Sequence, residues 1–243
     1  MAGLLKRLFP RPPEALRCSA VVAAAGSSSR MGGADKLFLP LFGVPVLART
    51  LMALEDCDEI TEIVVVTREE SIVAVGDLCR SFGISKATKV VVGGATRLES
   101  VLIGLLEIDR AAPLALIHDG ARPLVTPALV SRVVSRAAET GAAAPALPVK
   151  DTVKEAEDGF VRRTPDRTRL FTVQTPQVFE SSLIKGALQK AAADGVAVTD
   201  DCAAVERLGM SVALVEGEER NLKVTTKVDV IILEALLSDW EGD

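Results

Sequence analysis

Two hydrophobic patterns alternate from Cys18 to Val149. In the first, apolar residues follow one another without a polar break: Ala20–Ala24, Ile63–Val66, Val90–Val92, Leu114–Ile117 and Ala142–Val149. A strand covered on both faces reads this way, as in a parallel sheet. In the second, apolar residues recur at helical spacing. Val46, Leu47, Leu51 and Leu54 do so after Pro45, and Val101, Leu102, Leu105 and Leu106 do so after Thr96. Thr96 followed by Glu99 is a capping-box pattern. Glu69 to Phe82 reads as a helix that stops at Gly83, and Thr126 caps another that runs to about Thr140. Strand and helix in turn, with short links, predict an α/β fold: a doubly wound, mostly parallel sheet with ligands at the carboxyl ends of its strands.

The alternation breaks between Lys150 and Gln174. Asp151–Ala156 and Phe160–Thr164 are polar and extended, and Asp158–Gly159 between them reads as a hairpin turn. Such a piece cannot fill a core, so residues from about 150 to 173 are expected to form an arm that reaches over the site or to another subunit. Thr175–Pro176–Gln177 then precedes a helix from Ser181 to Ala193. Thr199 is expected to cap a shorter helix through Leu208, with Asp200 and Asp201 at its positive end. Met210–Val215 and Asn221–Thr225 read as short strands, and Thr226–Trp240 as a closing helix. Nothing divides residues 18–243, so they are expected to form one domain behind a frayed tail, Met1–Arg17.

Composition narrows the chemistry. Apolar residues make up 49% of the 243, yet there are seven Phe, one Trp and no Tyr, so the core must be built from Ala, Val and Leu. A net charge of −5 and few aromatic rings argue against a general nucleic-acid binder, which needs a basic face and stacking rings. Four cysteines without a Cys-x-x-Cys pair, and a single histidine, argue against structural zinc. Scattered reduced thiols fit a cytoplasmic protein. No apolar run reaches the length of a membrane span, and Leu4–Leu5 and Leu8–Phe9 are too short for a signal peptide, so no membrane partner is expected.

The first strand runs into Gly26–Ser27–Ser28–Ser29–Arg30–Met31–Gly32–Gly33, followed by Lys36. Small residues let backbone amides approach an anion, and the two cations add charge where those amides point. The stretch reads as a phosphate-gripping loop. It is neither Gly-x-Gly-x-x-Gly nor Gly-x-x-x-x-Gly-Lys-Ser/Thr, so it is not a dinucleotide fingerprint or a P-loop, which disfavours an NAD-dependent oxidoreductase. Three more clusters follow expected strands: Gly93–Gly94 with Ser100, Asp119 with Arg122, and Lys223. A parallel sheet gathers such ends along one edge. Arg30, Lys36 and Lys223 around the lone carboxylate Asp119 suit a polyphosphate with one divalent cation, Mg2+ being held by one or two carboxylates plus phosphate oxygens. His118 is expected to pack inertly rather than to serve a Ser-His-Asp triad. No other base is evident, and none is needed if the nucleophile is a phosphate monoester. The obstacle is then the meeting of about six negative charges, because each phosphomonoester carries about two, and cations lower that barrier.

Taken together, these motifs resemble the 2-C-methyl-D-erythritol 4-phosphate cytidylyltransferase family, CTP-using enzymes of non-mevalonate isoprenoid precursor synthesis. The resemblance rests on Ala23–Met31, Lys36, Gly93–Gly94, Ser100, Ile117–Pro123, Pro148–Lys154, Thr175–Gln177, Thr199–Asp200 and Asn221–Thr225, in order from about Cys18 to about Leu237. It implies a Rossmann-like nucleotidyltransferase fold and transfer of the cytidylyl group of CTP to the polyol phosphate, with release of pyrophosphate. It implies that Arg30 and Lys36 stabilise the transition state at the α-phosphorus and that Lys223 holds the α-phosphate. The loop from Ala24 through Gly26 to Arg30 would wrap the CTP phosphates. Ala24, Ala25, Gly94 and Ser100 would read the cytosine, and Asp119 would face the ribose and Mg2+. Arg122, Thr152, Arg167, Thr175 and Thr199 would surround the methylerythritol phosphate, with Thr152 and Arg167 serving the neighbouring site of an arm-swapped homodimer.

The chain departs from the family pattern at Ala23, where Pro is frequent, at Ala95, where Asp is frequent, and at Gly120, where Ala is common. Ala95 removes a side-chain contact near the nucleoside. Ending at Asp243, the chain is expected to lack the cyclodiphosphate synthase domain of fused relatives. Ribitol 5-phosphate cytidylyltransferase is the alternative, with the same machinery and a different polyol. A non-catalytic nucleotide sensor on the same fold would have lost the cations that this chain keeps.

Overall fold

A computed structural model of the chain describes residues 16–26 and 35–240. The expected tail up to residue 15, and residues 27–34 of the expected phosphate loop with Arg30, lie outside the described residues.

The apolar run near the head of the chain is β1 (Cys18–Ala23), buried along almost its whole length. A two-residue ladder, β2 (Pro40–Leu41) with β3 (Val44–Pro45), leads into α1 (Val46–Glu55). Then β4 (Ile60–Thr67), α2 (Ile72–Ser81), β5 (Ala87–Val92), α3 (Arg97–Glu107), β6 (Leu114–Asp119), α4 (Pro127–Thr140) and β7 (Ala142–Pro148) continue the expected alternation. α3 starts at the capping box, Thr96 accepting from the Glu99 amide, and Thr126 caps α4 by accepting from the Leu129 amide. A turn of 3-10 helix at Glu69–Ser71 precedes α2, so the α-helix starts later than the expected Glu69.

The hairpin is present as β8 (Glu155–Glu157) and β9 (Phe160–Arg163). Asp158 and Gly159 both have positive φ, 51° and 81°, as a tight two-residue hairpin turn requires. Its strands are exposed throughout and pair, among the described strands, with each other alone. Beyond it come β10 (Phe171–Val173) and β11 (Gln177–Glu180), two strands that the sequence pattern missed. Then follow α5 (Ser181–Ala193), α6 (Asp201–Glu206), β12 (Ala213–Glu216) and α7 (Lys227–Trp240).

Two expectations are corrected. Asp200, not Thr199, caps α6: its carboxylate accepts from the Ala203 amide. Asn221–Thr225 is irregular rather than a strand, because its polar groups bond to loops. The Val224 amide donates to the Ala121 carbonyl, and the Val224 carbonyl accepts from Lys36 Nζ at 3.0 Å.

The main sheet runs β5–β4–β1–β6–β11–β7, with β10 and β12 also on β7. β1 pairs in parallel with β4 and β6, β4 with β5, and β12 with β7. β11 is antiparallel to both β6 and β7, so those two strands run the same way, and β10 is antiparallel to β7. Side chains of β1 alternate between two cores. Ala20 and Val22 pack with α1, α2, α4 and α7, whereas Val21 packs with α3, α5 and α6. The fold is the doubly wound, mostly parallel α/β sheet that the hydrophobic pattern predicts.

α3 approaches the sheet most closely at Gly104, where a Cβ would lie 2.5 Å from Val21 Cγ1 and 2.7 Å from Val66 Cγ2. Both neighbours are stiff, β-branched and buried, so neither can give way cheaply. Gly76 in α2 is the contrasting case, its added Cβ meeting nothing nearer than Arg80 Nη1 at 3.7 Å. Gly76→Ala is expected to stabilise the fold by about 0.5–1 kcal/mol through helix propensity. Gly104→Ala, the same change in chemistry, is expected to destabilise it by about 1–3 kcal/mol through overpacking. Urea unfolding midpoints of the two variants check the opposite signs.

Candidate active site

The parallel register brings three loops to one edge. Ala23 of β1 lies opposite Val66 of β4 on one side and Asp119 of β6 on the other. The Ala24 amide donates to the Val66 carbonyl, the Gly93 amide to the Thr67 carbonyl, and the Gly120 amide to the Ala23 carbonyl. These bonds hold the ends of β1, β4, β5 and β6 together. Gly93 is needed for the approach: a Cβ there would sit 2.7 Å from Ser100 Oγ and 2.9 Å from Ala25 Cβ.

Between these loops opens a cleft of about 300 Å³. One wall is the backbone of Ala23–Gly26, and the other is the turn Gly94–Arg97 with Ser100 behind it. Ser100 Oγ accepts from the Gly94 amide at 3.1 Å and donates to the Thr96 carbonyl at 2.8 Å, so it holds the turn in shape. Lys36, Asp119 and Lys223 complete the lining. Of the expected nucleotide and catalytic residues, Ala24, Ala25, Gly26, Lys36, Gly94, Ser100, Asp119 and Lys223 all line this one cleft. Arg30 is outside the described residues.

Asp119 is the electrostatic centre. Lys223 Nζ lies 2.7 Å from Oδ2, Arg122 Nε 3.7 Å from Oδ2, and Arg97 Nη2 3.7 Å from Oδ1. Burial alone would raise its carboxyl pKa, but Lys223, then Arg97 and Arg122, hold it down at about 2. Lys36 reaches the same rim through its bond to the carbonyl of Val224, the residue after Lys223.

The expected second-substrate residues lie outside the cleft lining. Arg122 is largely buried and donates from Nη1 to the Asn221 carbonyl at 2.6 Å. Thr175 is buried; its Oγ1 accepts from the Asp119 amide at 3.1 Å and meets His118 Nδ1 at 3.0 Å. Thr199 is exposed just before α6. Thr152 and Arg167 are exposed at the foot of the hairpin, Arg167 Nη1 donating to the Lys150 carbonyl at 2.9 Å.

One cleft residue escaped the sequence reading. Arg97 opens α3 and grips Asp201 of α6 with both guanidinium nitrogens, at 3.0 and 2.6 Å. Burial raises the Asp201 pKa, and Arg97 opposes that rise. A cation in the first turn of a helix faces an unfavourable dipole. That mismatch is the signal by which an anionic partner for Arg97 could have been sought.

Among the described residues no group of three or more His, Cys, Asp or Glu forms a metal cage. The lone cleft carboxylate fits a magnesium ion that takes its remaining ligands from phosphate oxygens and water, the usual manner for that ion.

A family model described as 2-C-methyl-D-erythritol 4-phosphate cytidylyltransferase matches residues 18–239. A protein of that name from Halalkalibacterium halodurans is 46% identical over 224 residues, covering 92% of this chain and 98% of its own. One from Caldanaerobacter subterraneus is 43% identical, covering 91% and 99%. The crystal structure of a 4-diphosphocytidyl-2C-methyl-D-erythritol synthase from Anaerococcus prevotii superposes with a TM-score of 0.83 at 31% identity, covering 93% of this chain and 97% of that one.

His118 is fully buried, and burial presses its pKa from 6.5 to about 3. The folded protein therefore carries it neutral where the unfolded chain would protonate it. Its contribution is complete above about pH 6.5 and is lost as pH falls toward 3, at up to about 1.4 kcal/mol per pH unit. Urea unfolding at pH 7, 6 and 5 is expected to show a shallower acid loss of stability in His118→Gln than in the wild type.

Proposed function

The chain belongs to the 2-C-methyl-D-erythritol 4-phosphate cytidylyltransferase family, and from that premise we propose that the cleft carries out in-line cytidylyl transfer. The 4-phosphate of 2-C-methyl-D-erythritol attacks the α-phosphorus of CTP. A new P–O bond forms, the bond to the β-phosphate oxygen breaks, and pyrophosphate leaves. The products are 4-diphosphocytidyl-2-C-methyl-D-erythritol and pyrophosphate, on the route to isoprenoid precursors. The nucleophile is already an anion, so no proton has to be removed.

One observation carries this reading: Lys36 and Lys223, from opposite ends of the chain, meet on one rim beside Asp119. Preorganised cations are what a reaction between two anions needs, since they act where charge develops and need no rearrangement during the step. On this reading Lys223 would hold the α-phosphate, and Arg30 and Lys36 would stabilise the transition state at the α-phosphorus. Ala24, Ala25, Gly94 and Ser100, which line the cleft, would read the cytosine. Asp119, with phosphate oxygens, would hold the divalent cation, which would neutralise charge on the triphosphate.

Arg122, Thr152, Arg167, Thr175 and Thr199 are assigned to the polyol phosphate. Thr175 contributes by fixing the Asp119 backbone. The hairpin supports a homodimer, because Phe160 and Val161 are exposed on it and its strands have no third partner among the described residues. Thr152 and Arg167 would then serve the neighbouring site. Four buried free thiols, and the lack among described residues of any helix long and apolar enough to cross a membrane, support a cytoplasmic enzyme.

Pyrophosphate release with CTP is expected with methylerythritol 4-phosphate and at most weakly with ribitol 5-phosphate; turnover confined to the ribitol compound overturns the assignment. Lys36→Ala is expected to lower kcat by about 100-fold or more while weakening CTP binding by less than about tenfold, since the contact strengthens as charge shifts. Single-turnover kinetics beside calorimetric titration of CTP reads both numbers, and equal losses would remove Lys36 from the transition state.

A further inference from the structure

Arg97 stands in the cleft without a task in the transfer reaction. Its geometry is distinctive in one respect: a single guanidinium nitrogen faces two carboxylates from different elements. Nη2 lies 2.6 Å from Asp201 Oδ2 and 3.7 Å from Asp119 Oδ1, while Nη1 donates to Asp201 Oδ1 at 3.0 Å. Asp119 ends β6, and Asp201, 1% exposed, opens α6. Like charges would push those two ends apart; Arg97 lets them approach. The two-pronged contact to Asp201 also fixes the guanidinium plane, which one bond could not do.

The start of α6 is tied a second time. Gln177 Oε1 accepts from the amides of Asp201 and Cys202, both at 3.1 Å, and its Nε2 donates to Asp200 Oδ2 at 2.8 Å. Gln177 sits opposite Ile117 of β6 in the sheet. A helix of six residues is too short to hold its own place. Its first turn is therefore located by β11 through Gln177 and by α3 through Arg97, and the second of these ties also reaches Asp119.

We propose that Arg97 is a positioning residue, and that the Arg97–Asp201 pair is a brace fixing the Thr199–Asp201 segment against the nucleotide cleft so that the two substrates meet in line. The proposal rests on the function given above, because Thr199 is assigned to the polyol phosphate there. Nη1 and Nη2 both bond to Asp201 and Nη2 also faces Asp119, so the guanidinium couples the start of α6 to the cleft carboxylate. Arg97 itself lines the cleft, whereas Asp201 lies outside the lining and carries the brace on to the Thr199–Asp201 segment. Loosening it at Asp201 leaves the residues that line the cleft unchanged and lets the attacking phosphate drift, and a misplacement of about 1 Å costs on the order of 100-fold in rate.

Asp201 does not line the cleft, so Asp201→Asn removes the brace without touching the nucleotide. The variant is expected to raise KM for methylerythritol 4-phosphate about tenfold and lower kcat about tenfold, with the CTP dissociation constant within about threefold of wild type. Arg97→Lys is expected to raise the polyol KM and lower kcat alike, since an ammonium cannot make the two-pronged contact; because Arg97 lines the nucleotide cleft, unchanged CTP affinity is expected of Asp201→Asn alone. The paired exchange Arg97→Met with Asp201→Leu removes both charges at similar volume and guards against a folding defect. A wild-type melting temperature in that pair, with the polyol KM still raised, supports the brace. Wild-type kinetics in any folded variant, or equal loss of affinity for both substrates in Asp201→Asn, overturns it. Should Asp201→Asn not fold, the paired exchange decides, and failing that Arg97→Lys. A wild type that releases no pyrophosphate from CTP and methylerythritol 4-phosphate overturns the function and the brace together, whereas an active wild type with unaffected variants overturns the brace alone.

Discussion

Asp119 must stay charged at a nearly buried strand end, and much of the cleft is arranged around that requirement. Burying a carboxylate costs several kcal/mol, while one opposite charge at 4 Å returns about 4 kcal/mol at an effective dielectric near 20. One cation would therefore roughly balance the cost. Lys223 is the nearest but partly exposed, so solvent screens its share. Arg97, about as exposed as Lys223, and the better shielded Arg122 add to it, and the carboxyl stays ionised. Lys223 and Arg97 come from distant stretches of chain and Arg122 from the same turn, so the buried carboxylate has its full set of cations only in the folded protein.

The segment that brings Lys223 to Asp119 has no regular structure, and its own backbone supplies only turn bonds, from the Asn221 amide to the Glu218 carbonyl and from the Leu222 amide to the Arg220 carbonyl. Buried irregular backbone needs side-chain partners. Gln174 supplies them: its Oε1 accepts from the Glu218 amide and from Asn221 Nδ2, both at 3.2 Å, and its Nε2 donates to the Glu218 carbonyl at 2.9 Å. Asn221 Nδ2 also donates to the Thr175 carbonyl at 2.8 Å, and Arg122 holds the Asn221 carbonyl. Buried amides thus do for this loop what a ladder does for a strand. The loop is rigid in consequence, and Lys223 is positioned before any ligand arrives.

The alternation of strand and helix could be read from the chain because burial on both faces leaves a local mark. A continuous apolar run reports a strand buried on both faces, and β1, β4, β6 and β7 are all found where such runs lie, whereas the run Val90–Val92 belongs to β5, a partly exposed edge strand. Caps at Thr96 and Thr126 were legible for a similar reason, since their partners are three residues away. β10 and β11 were not, being three and four residues long and hence too short for a period to develop. Asn221–Thr225 looked like a strand because alternation is a statement about side chains, whereas a strand needs an unoccupied neighbouring edge. At the start of α6, Thr199 and Asp200 are both good caps by composition, and only backbone geometry selects Asp200.

The same division holds for the cleft. The Gly93–Gly94 turn, Ser100 and Asp119 were recognisable in the sequence because phosphate chemistry needs small residues and charge next to strand ends, and strand ends are local features; Lys36 and Lys223 were recognisable as the cations such a site needs, although neither sits at a strand end. By itself the sequence determined the α/β class, the edge of the sheet that carries chemistry and the residues gathered there. The tertiary structure alone decided how their charges are shared. The pairing of Arg97 with Asp201, and the closure of Gln174 on Asn221, join residues 104 and 47 positions apart. Hydrophobic periodicity records which face of an element is buried, and it carries no information on which distant polar group will meet which across the core.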